Sequence, residues 1–340
     1  MDKRVIFSVA GSGKSSLIIS SLEESSRALI ITYTDKNTQN LKDRILRKFG
    51  YIPTGIRVYT YYTFLYSFCF RPILGHKISS KGISWNQPPL YKETKDPLHY
   101  RDKNKRLYGC RIAKLLIHYK SIPEVIDRIK KYFDHFYIDE VQDFAGNDFN
   151  FLCSLAEANI HQLLVGDFYQ HTFDTSRDGN INRTLHDNYT KYQERFIQAG
   201  FVIDRDTLSH SYRCSSALCA FVTDQLGVNI QSHRLDETEV LLVECIEQAH
   251  QLFECSETIK LFYKNSNKYI GYVENWGNVK GQDCYDDVCV VLNSNTYRHF
   301  RASSLIKLPP ITKNKLYVAC TRAKRNLYFV DEAMYKHYRQ

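Results

Sequence analysis

The chain alternates between short apolar runs and longer segments in which apolar residues recur at helical spacing. Short runs predict buried strands, and periodic segments predict amphipathic helices. Residues 38–49 predict a helix because Leu41, Ile45 and Phe49 recur at that spacing, with residues 35–37 as its cap. A helix over residues 63–70 is expected to end before Pro72. Further strands are predicted at residues 5–9, 27–34, 56–60, 136–138 and 162–167, further helices at 106–119, 123–132 and 189–198, and a loop or small irregular insertion at 75–105.

The C-terminal half repeats this alternation without repeating the sequence. Because strands and helices alternate in both halves, the pattern predicts an α/β protein with two parallel-sheet layers. The first domain is expected over residues 1–174, with a small insertion at about 71–132, followed by a connector over 175–207 and a second domain over 208–340. Second-half strands are predicted at residues 240–243, 259–263, 288–292 and 326–330, and a helix at 217–226.

The amino-acid composition indicates a class of binding partner and a cellular compartment. The 340 residues suffice for about two ordinary domains, and the net charge of +9 favours a polyanionic partner. No apolar run approaches the roughly 20 residues of a membrane helix, so no membrane partner is expected. The ten cysteines lack C-x-x-C pairs, which indicates reduced thiols rather than disulfides or zinc. With a strand predicted close to Met1 and no leader pattern, a cytoplasmic protein is expected.

The first strand is followed by the sequence Ala-Gly-Ser-Gly-Lys-Ser, residues 10–15, and then by a helix. Glycines here would let backbone N–H groups point at phosphate oxygens, Lys14 would reach the β- and γ-phosphates, and the Ser15 hydroxyl would ligate Mg²⁺. The full pattern has glycine where this chain has Ser8, so the match is partial. The alternative is a Gly-Ser turn with a solvated lysine, and the loop alone does not decide between them.

Two later strands end in polar side chains of a matching kind. Asp139 and Glu140 follow an apolar strand, where a carboxylate can hold magnesium and a second one can orient an attacking water. An acidic turn is the alternative for this pair. Gln170 follows the strand at 162–167 and could sense a γ-phosphate, although a polar loop residue is about equally consistent with that segment.

Eight segments in order resemble the motifs of UvrD/Rep-type helicases, the 3′-to-5′ branch of superfamily one. The match covers both halves of the chain, and the segment at 139–143, Asp-Glu-Val-Gln-Asp, matches D-E-x-Q-D letter for letter. The others are residues 10–15, 32–36, 60–64, 165–170 (Val-Gly-Asp-Phe-Tyr-Gln), 211–214 (Ser-Tyr-Arg-Cys), 280–283 (Lys-Gly-Gln-Asp) and 318–323 (Val-Ala-Cys-Thr-Arg-Ala).

The resemblance implies two tandem RecA-like domains of the P-loop NTPase class and an ATP hydrolase that uses Mg²⁺. Ser15 and Asp139 would hold the metal, and Tyr212 would stack on adenine. Residues implied in catalysis are Lys14, Glu140 as base, Gln170 as γ-phosphate sensor, and Arg213 and Arg322 as arginine fingers. Residues implied in nucleotide binding are Ala10, Gly11, Ser12, Gly13, Lys14, Ser15, Ser16, Tyr212, Arg213, Asp283 and Arg322.

The family also implies a groove for single-stranded or partly duplex DNA. Hydroxyls and lysines would contact phosphates there, and aromatic rings would stack on bases. Tyr33 and Phe173 are equally well explained as core residues. The candidates are Thr32, Tyr33, Lys36, Thr60, Tyr62, Thr63, Phe173 and Lys280.

The chain departs from the family pattern in three respects. It has no glutamine motif upstream of the first strand, which leaves strict ATP preference open, and Asp283 stands where the family has Glu. The insertions between motifs leave room for only one small accessory region.

The first functional hypothesis is therefore a compact ATP-driven single-stranded-DNA translocase or helicase. The second is a DNA-sensing ATPase subunit that regulates a partner nuclease, as in an anti-phage defence system. The third is a non-catalytic nucleic-acid-binding module.

Overall fold

The computed structural model describes residues 2–89, 93–94, 96–172 and 178–340, and these form two compact units. The first unit comprises the described residues within 1–6, 15–166 and 173–204. The second comprises those within 7–14, 167–172 and 205–340. Most of the candidate phosphate loop therefore groups with the C-terminal half of the chain.

A six-stranded sheet forms the centre of the first unit. The strands of this unit in its described residues are β1 (Lys3–Phe7), β2 (Ala28–Thr32), β3 (Ile56–Thr60), β4 (Ile83–Ser84), β5 (Leu107–Tyr108), β6 (His135–Asp139), β7 (His161–Gly166) and β8 (Val202–Asp204). The sheet has the order β3-β2-β6-β7-β1-β8, while β4 and β5 form a separate pair. β2 pairs in parallel with β3 and β6, β6 with β7, and β1 with β8. The prediction of a parallel α/β layer is confirmed.

The helices of the first unit follow the strands in the alternation that the sequence predicts. The α-helices are α1 (Lys14–Ser20), α2 (Asp35–Phe49), α3 (Tyr61–Thr63), α4 (Arg71–Leu74), α5 (Pro97–Tyr100), α6 (Ile112–His118), α7 (Ile122–Tyr132), α8 (Gly146–Leu155) and α9 (Tyr189–Gln198). β2 is buried at all five positions, which explains why it is a continuous apolar run rather than an alternating one.

Two helix boundaries differ from their predictions for local reasons. α2 begins at Asp35 rather than residue 38, because the Thr34 side chain caps it by accepting a hydrogen bond from the Asn37 backbone nitrogen. The predicted stop before Pro72 is wrong, since a π-helix over Phe64–Phe70 leads directly into α4, where Pro72 occupies the first turn. A proline is tolerated there because first-turn N–H groups need no helical partner.

Other elements of the first unit are shifted or were missed. The helix predicted at 106–119 begins only at Ile112, since residues 107–108 form β5, which pairs with β4. β1 ends at Phe7 rather than at residue 9. α8 was not predicted. Within the segment predicted to be a connector, α9 matches its prediction, and β8 joins the sheet beside β1.

The second unit is built on a five-stranded sheet of order β11-β15-β14-β12-β13, with β9 and β10 as a separate pair. Its described strands are β9 (His210–Ser211), β10 (Gln231–Ser232), β11 (Val240–Val243), β12 (Ile259–Phe262), β13 (Val273–Asn275), β14 (Val288–Leu292) and β15 (Leu327–Asp331). The α-helices are α10 (Ser216–Leu226), α11 (Ile246–Glu254), α12 (Ser294–Arg301) and α13 (Pro310–Cys320). All its strand pairings are parallel, which confirms the prediction for this half.

None of the helices formed by the described residues combines the length and apolar character that a bilayer crossing requires. None of the ten cysteines, all of which are among the described residues, forms a disulfide, and Cys245 and Cys284 are exposed.

Candidate functional site

Glycine at position 11 shapes the candidate phosphate loop. Its φ of 72° lies in the left-handed region that residues with a side chain rarely adopt, and Gly13 has a φ of 89°. A Cβ built on Gly11 would lie 2.6 Å from the Cβ of Arg213 and 2.8 Å from the Oγ of Ser211. The Gly11 carbonyl also accepts a hydrogen bond from the Tyr212 backbone nitrogen at 2.9 Å. Position 11 therefore requires glycine both for its backbone conformation and for its close packing.

The hydroxyl of Tyr317 connects this loop to the predicted γ-phosphate sensor. The Ala10 backbone N–H donates to the Tyr317 oxygen at 2.9 Å, and the Tyr317 hydroxyl donates to Oδ2 of Asp167 at 2.9 Å. The same carboxylate oxygen accepts from Nε2 of Gln170 at 3.0 Å. Burial raises the pKa of Tyr317 well above its ordinary value, so its hydroxyl remains a donor at neutral pH. The network fixes both the loop backbone and the orientation of the Gln170 amide.

The predicted metal ligands lie together in the first unit. The Ser15 hydroxyl, in the first turn of α1, donates to Oδ2 of Asp139 at the end of β6, at 2.7 Å. Two hard oxygen ligands at this separation fit the preference of Mg²⁺. The described residues contain no group of three or more His, Cys, Asp or Glu side chains able to hold a metal ion. The chain therefore supplies the kind of sparse ligand set that Mg²⁺ completes with water and substrate phosphates.

Glu140, the predicted base, has a strained backbone. Its φ and ψ are 60° and 48°, a left-handed conformation that costs a residue with a side chain about 1–2 kcal/mol. The Glu140 backbone nitrogen donates to Oδ1 of Asp139 at 3.0 Å, and its carboxylate accepts a hydrogen bond from Nε2 of Gln142. These contacts hold the carboxylate in place beside the predicted metal ligand.

Both predicted arginine fingers contact Asp283 in the second unit. Arg213 forms an ion pair with Asp283 and donates from Nη1 to the Thr321 carbonyl at 3.1 Å. Arg322 Nη1 lies 3.7 Å from Oδ1 of Asp283 and donates to the Gln282 carbonyl at 3.1 Å. Asp283 is exposed, whereas Arg322 is only 1% exposed. Because the Asp283 carboxylate lies close to both guanidinium groups, it partly compensates the positive charges of Arg213 and Arg322.

The surroundings of Arg322 change the pKa of its guanidinium group. Burial, together with the charge of Arg213, lowers the pKa of its guanidinium to about 10, while the charge of Asp283 opposes both effects. The group remains protonated at neutral pH. Its Nη2 is buried and has no hydrogen-bond partner among the described residues. An unsatisfied buried cationic donor of this kind suits an anionic ligand.

The phosphate loop contains a second unsatisfied buried group, and its remaining residues differ in exposure. The Ser12 side chain is 2% exposed, and its Oγ has no hydrogen-bond partner among the described residues. Lys14 is buried, while Ser16 is exposed and accepts a hydrogen bond from Nη1 of Arg44 at 2.8 Å. The left-handed glycines, the Ser12 hydroxyl and Lys14 fit a bound phosphate group.

Tyr212, the predicted adenine platform, is 65% exposed. Its ring stacks on His233 with the centroids 4.1 Å apart and an interplanar angle of 19°. His233 in turn lies against His210, at 4.9 Å between centroids. The stack orients the Tyr212 ring and leaves most of its surface open to solvent.

The nucleic-acid candidates fall into distinct environments. Tyr33 and Tyr62 are half-buried neighbours whose hydroxyl oxygens lie 3.4 Å apart. Thr60 caps α3 by accepting from the Thr63 backbone nitrogen at 3.2 Å, so its hydroxyl has a structural role. The others are Thr32, which is fully buried; Lys36, which is exposed on α2; Lys280, which is half-buried in the second unit; and Phe173, which lies outside the described residues.

Sequence reasoning missed two members of the network around the phosphate loop. Tyr317 directly precedes the predicted motif at residues 318–323, and Asp167 lies within the predicted motif at residues 165–170. The available signal was a polar group at an otherwise apolar helix position in the first case and a strand-end carboxylate in the second. Neither signal identifies a hydrogen-bond partner far away in sequence.

Comparison with solved structures finds this fold in viral helicases. The PRRSV helicase matches over 97% of this chain and 52% of its own chain, with a TM-score of 0.50 and 12% sequence identity. A crystal structure of the arterivirus nonstructural protein 10 helicase matches over 98% of this chain and 62% of its own, with a TM-score of 0.50 and 12% identity. No family model and no curated protein sequence matches the chain.

These similarities show that the chain shares the fold of these viral helicases, an α/β fold built on parallel sheets. The expected fold class is thereby confirmed. The chain spans less than two thirds of the length of either similar protein. The assignment to the UvrD/Rep branch stays a prediction.

Proposed function

We propose that this chain is an ATP-dependent translocase or helicase that acts on single-stranded DNA, of the UvrD-like type. The observation that carries the proposal is the 2.7 Å hydrogen bond from Ser15 to Asp139. It joins the hydroxyl of the phosphate loop to the acidic strand end, which is the pair of groups that the motif assignment places on magnesium. The helicase fold supports the same conclusion.

Each of the candidate residues then has a chemical task. Lys14 binds phosphate oxygens, and Ser15 and Asp139 hold Mg²⁺, which when bound neutralises charge on those oxygens. Glu140 accepts a proton from the attacking water at its carboxylate, and Gln170 orients that water or the γ-phosphate. Arg213 and Arg322 supply positive charge where it develops in the transition state, a contribution of about 10³–10⁵ in rate for one such arginine.

The substrate strand is bound by charge and by aromatic stacking. Tyr33 and Tyr62, at the carboxyl ends of β2 and β3, offer rings for unpaired bases. The excess of positive charge over the whole chain favours a polyanion. We propose that the base is recognised mainly by stacking on Tyr212, whose ring is 65% exposed, and such stacking tolerates nucleotides other than ATP.

ATP turnover by the purified chain tests the proposal. We expect hydrolysis that requires Mg²⁺, rises when single-stranded DNA is added, and disappears in Lys14→Ala. Lys336→Ala, which removes an exposed lysine near the C-terminus, is the matched control and should retain wild-type turnover. Equal turnover with and without DNA would count against a motor.

A second function, a DNA-sensing ATPase subunit that regulates a nuclease, is favoured by one observation. Between α4 and α6, the described residues form only β4, β5, α5 and a short 3₁₀ turn, which is a small accessory region. Strand displacement by the chain alone supports the motor proposal. Slow hydrolysis without displacement, together with a nuclease that co-purifies with the tagged chain, supports the sensor.

A further inference from the structure

Trp85 is the most exposed large aromatic side chain among the described residues, at 68%. It directly follows β4, in the small insertion, and no motif includes it. Its ring contacts Tyr62 edge-on, with the centroids 4.7 Å apart and an interplanar angle of 85°. Tyr62 in turn contacts Tyr33 at 5.8 Å and 60°. We call these three residues, Tyr33, Tyr62 and Trp85, the aromatic cluster.

A glycine allows the cluster to form. A Cβ built on Gly109 would lie 3.0 Å from Cζ3 of Trp85 and 3.3 Å from Cε1 of Tyr62. Gly109 directly follows β5, and β4 pairs with β5 in parallel, so the ribbon brings the glycine beneath the tryptophan. The exposed ring is therefore held in a defined position by backbone and by Tyr62, at little cost in side-chain freedom on binding.

The segment around Trp85 carries most of the excess charge of the chain. Residues 71–106 contain nine Lys and Arg and three Asp and Glu, an excess of six out of the chain's net +9. Lys81 and Lys105 are exposed and adjacent, since the Lys81 backbone nitrogen donates to the Lys105 carbonyl at 2.9 Å. Among the described residues of this segment, the other exposed cations are Arg71, Lys77 and Lys103.

We propose that Trp85 is a base-stacking residue for single-stranded nucleic acid, and that the exposed lysines of the β4–β5 ribbon bind its phosphates. This inference rests on the proposed function and adds a contact surface, the insertion, to it. An exposed aromatic ring on the same two-stranded ribbon as exposed lysines suits a strand with alternating bases and phosphates. A protein-docking surface would instead have a core depleted of charged residues, especially lysine. Burial raises the pKa of Tyr33 and of Tyr62, so neither adds negative charge to the surface at neutral pH.

Intrinsic fluorescence gives a direct readout, because the chain has only two tryptophans. Trp276 is fully buried in the second unit, where its Nε1 donates to the Leu261 carbonyl at 2.8 Å. Titration with an oligothymidylate should quench the emission of Trp85 by stacking. Trp85→Phe leaves Trp276 as the only tryptophan, so the quenching of tryptophan emission should disappear. Binding of a fluorescein-labelled oligothymidylate to this variant, measured by anisotropy, should be largely retained.

Binding strength and its salt dependence separate the two contributions. Trp85→Ala should weaken oligothymidylate binding about 5- to 100-fold, the range expected for one stacked base, with an unchanged salt slope. Lys81→Ala should reduce the salt slope by about one. Gly109→Ala, which displaces the ring, should mimic Trp85→Ala. Tyr51→Ala, which removes an exposed aromatic ring before the amino end of β3, whereas Tyr62 follows the carboxyl end of that strand, should bind as wild type.

Measuring DNA-independent ATP turnover in the same proteins separates the inference from the proposed function. Trp85→Ala should retain that turnover. If the wild type binds the oligonucleotide and is stimulated by it, but Trp85→Ala binds equally well and emission does not change, the inference is overturned and the proposed function stands. If the wild type neither binds the oligonucleotide nor hydrolyses ATP, both are overturned. Hydrolysis without any oligonucleotide binding overturns the inference and also the DNA-motor part of the proposed function, and leaves only the ATP hydrolase.

Discussion

The backbone N–H of Ala10 and the phenol oxygen of Tyr317 are hydrogen-bonded at 2.9 Å, although 307 positions separate them in the sequence. The Tyr317 hydroxyl donates a hydrogen bond to the Asp167 carboxylate, which also accepts one from the Gln170 amide. The start of the phosphate loop and the predicted γ-phosphate sensor thus depend on one hydroxyl group. The first prediction follows from this dependence.

Tyr317→Phe should lower both stability and turnover. It leaves the buried Ala10 N–H without a partner and takes a donor from Asp167, which should cost about 1–3 kcal/mol in the free energy of unfolding. We expect ATP turnover to fall about tenfold, a barrier increase of about 1.4 kcal/mol. Urea denaturation and steady-state hydrolysis measure the two effects. Tyr335→Phe is the control: that side chain is also fully buried, but its hydroxyl faces only Cys289 Sγ at 3.7 Å. Equal behaviour of the two variants would contradict the prediction.

Gly11→Ala should abolish nucleotide binding for a steric reason. The added Cβ would meet Arg213 Cβ at 2.6 Å, in addition to the strain of a left-handed backbone. Gly200→Ala isolates the strain, since Gly200 has a φ of 88° and nothing within 4 Å of a built Cβ. Gly200→Ala should lose about 1–2 kcal/mol in unfolding free energy, and Gly11→Ala should lose more because the clash adds to the strain. Only Gly11→Ala should stop binding a fluorescent nucleotide, and retention of binding there would contradict the close packing.

Ser15→Ala and Asp139→Asn should each reduce Mg²⁺-dependent turnover by about 100-fold or more, because each removes a proposed metal ligand. Since the two side chains are hydrogen-bonded to each other, the turnover of the double variant should be no lower than that of the less active single variant. The Mg²⁺ concentration for half-maximal turnover should rise in both. Ser20→Ala, at the exposed end of α1, is the matched control. Simple multiplication of the two single effects would show that the residues act independently.

Arg322→Lys should reduce turnover about 10³-fold while nucleotide affinity changes little. The planar guanidinium donates to the Val318 and Gln282 carbonyls, and its Nη2, which has no partner within the described part of the chain, is left for the proposed phosphate contact. A lysine cannot reproduce this geometry. Single-turnover hydrolysis and equilibrium nucleotide binding measure the two effects. Arg325→Lys, in which the replaced side chain is 59% exposed, should behave as wild type. Full turnover in Arg322→Lys would exclude a catalytic role for this arginine.

The strands were the part of the fold that sequence reasoning could predict. β3, β11 and β14 have their predicted bounds. β14 is buried at all five positions, as expected for an apolar run in a parallel sheet, whereas β3 and β11 are edge strands and only partly buried. The helices depend more on local chemistry that competes with periodicity. The Thr34 cap moves the start of α2, and the π-helix before Pro72 removes the expected stop.

The candidate site was predictable in part, and for a physical reason. Groups that contact phosphate and magnesium must be of particular types, so Lys14, Ser15 and Asp139 could be named from type and position. Tyr317 could not, because its role depends on which backbone N–H it meets across the fold. Trp85 lies in none of the predicted motifs, and its contact with Tyr62 becomes visible only in the structure, where β4 pairs with β5.

The left-handed backbone of Glu140 has an evolutionary consequence. A glycine there would relieve about 1–2 kcal/mol of strain and give a more robust fold, but it would delete the carboxylate on which the proposed chemistry depends. Selection for thermal robustness alone would therefore drive this position away from glutamate. A search for stabilised variants of this protein should recover Glu140→Gly among its gains, and such a variant should be inactive.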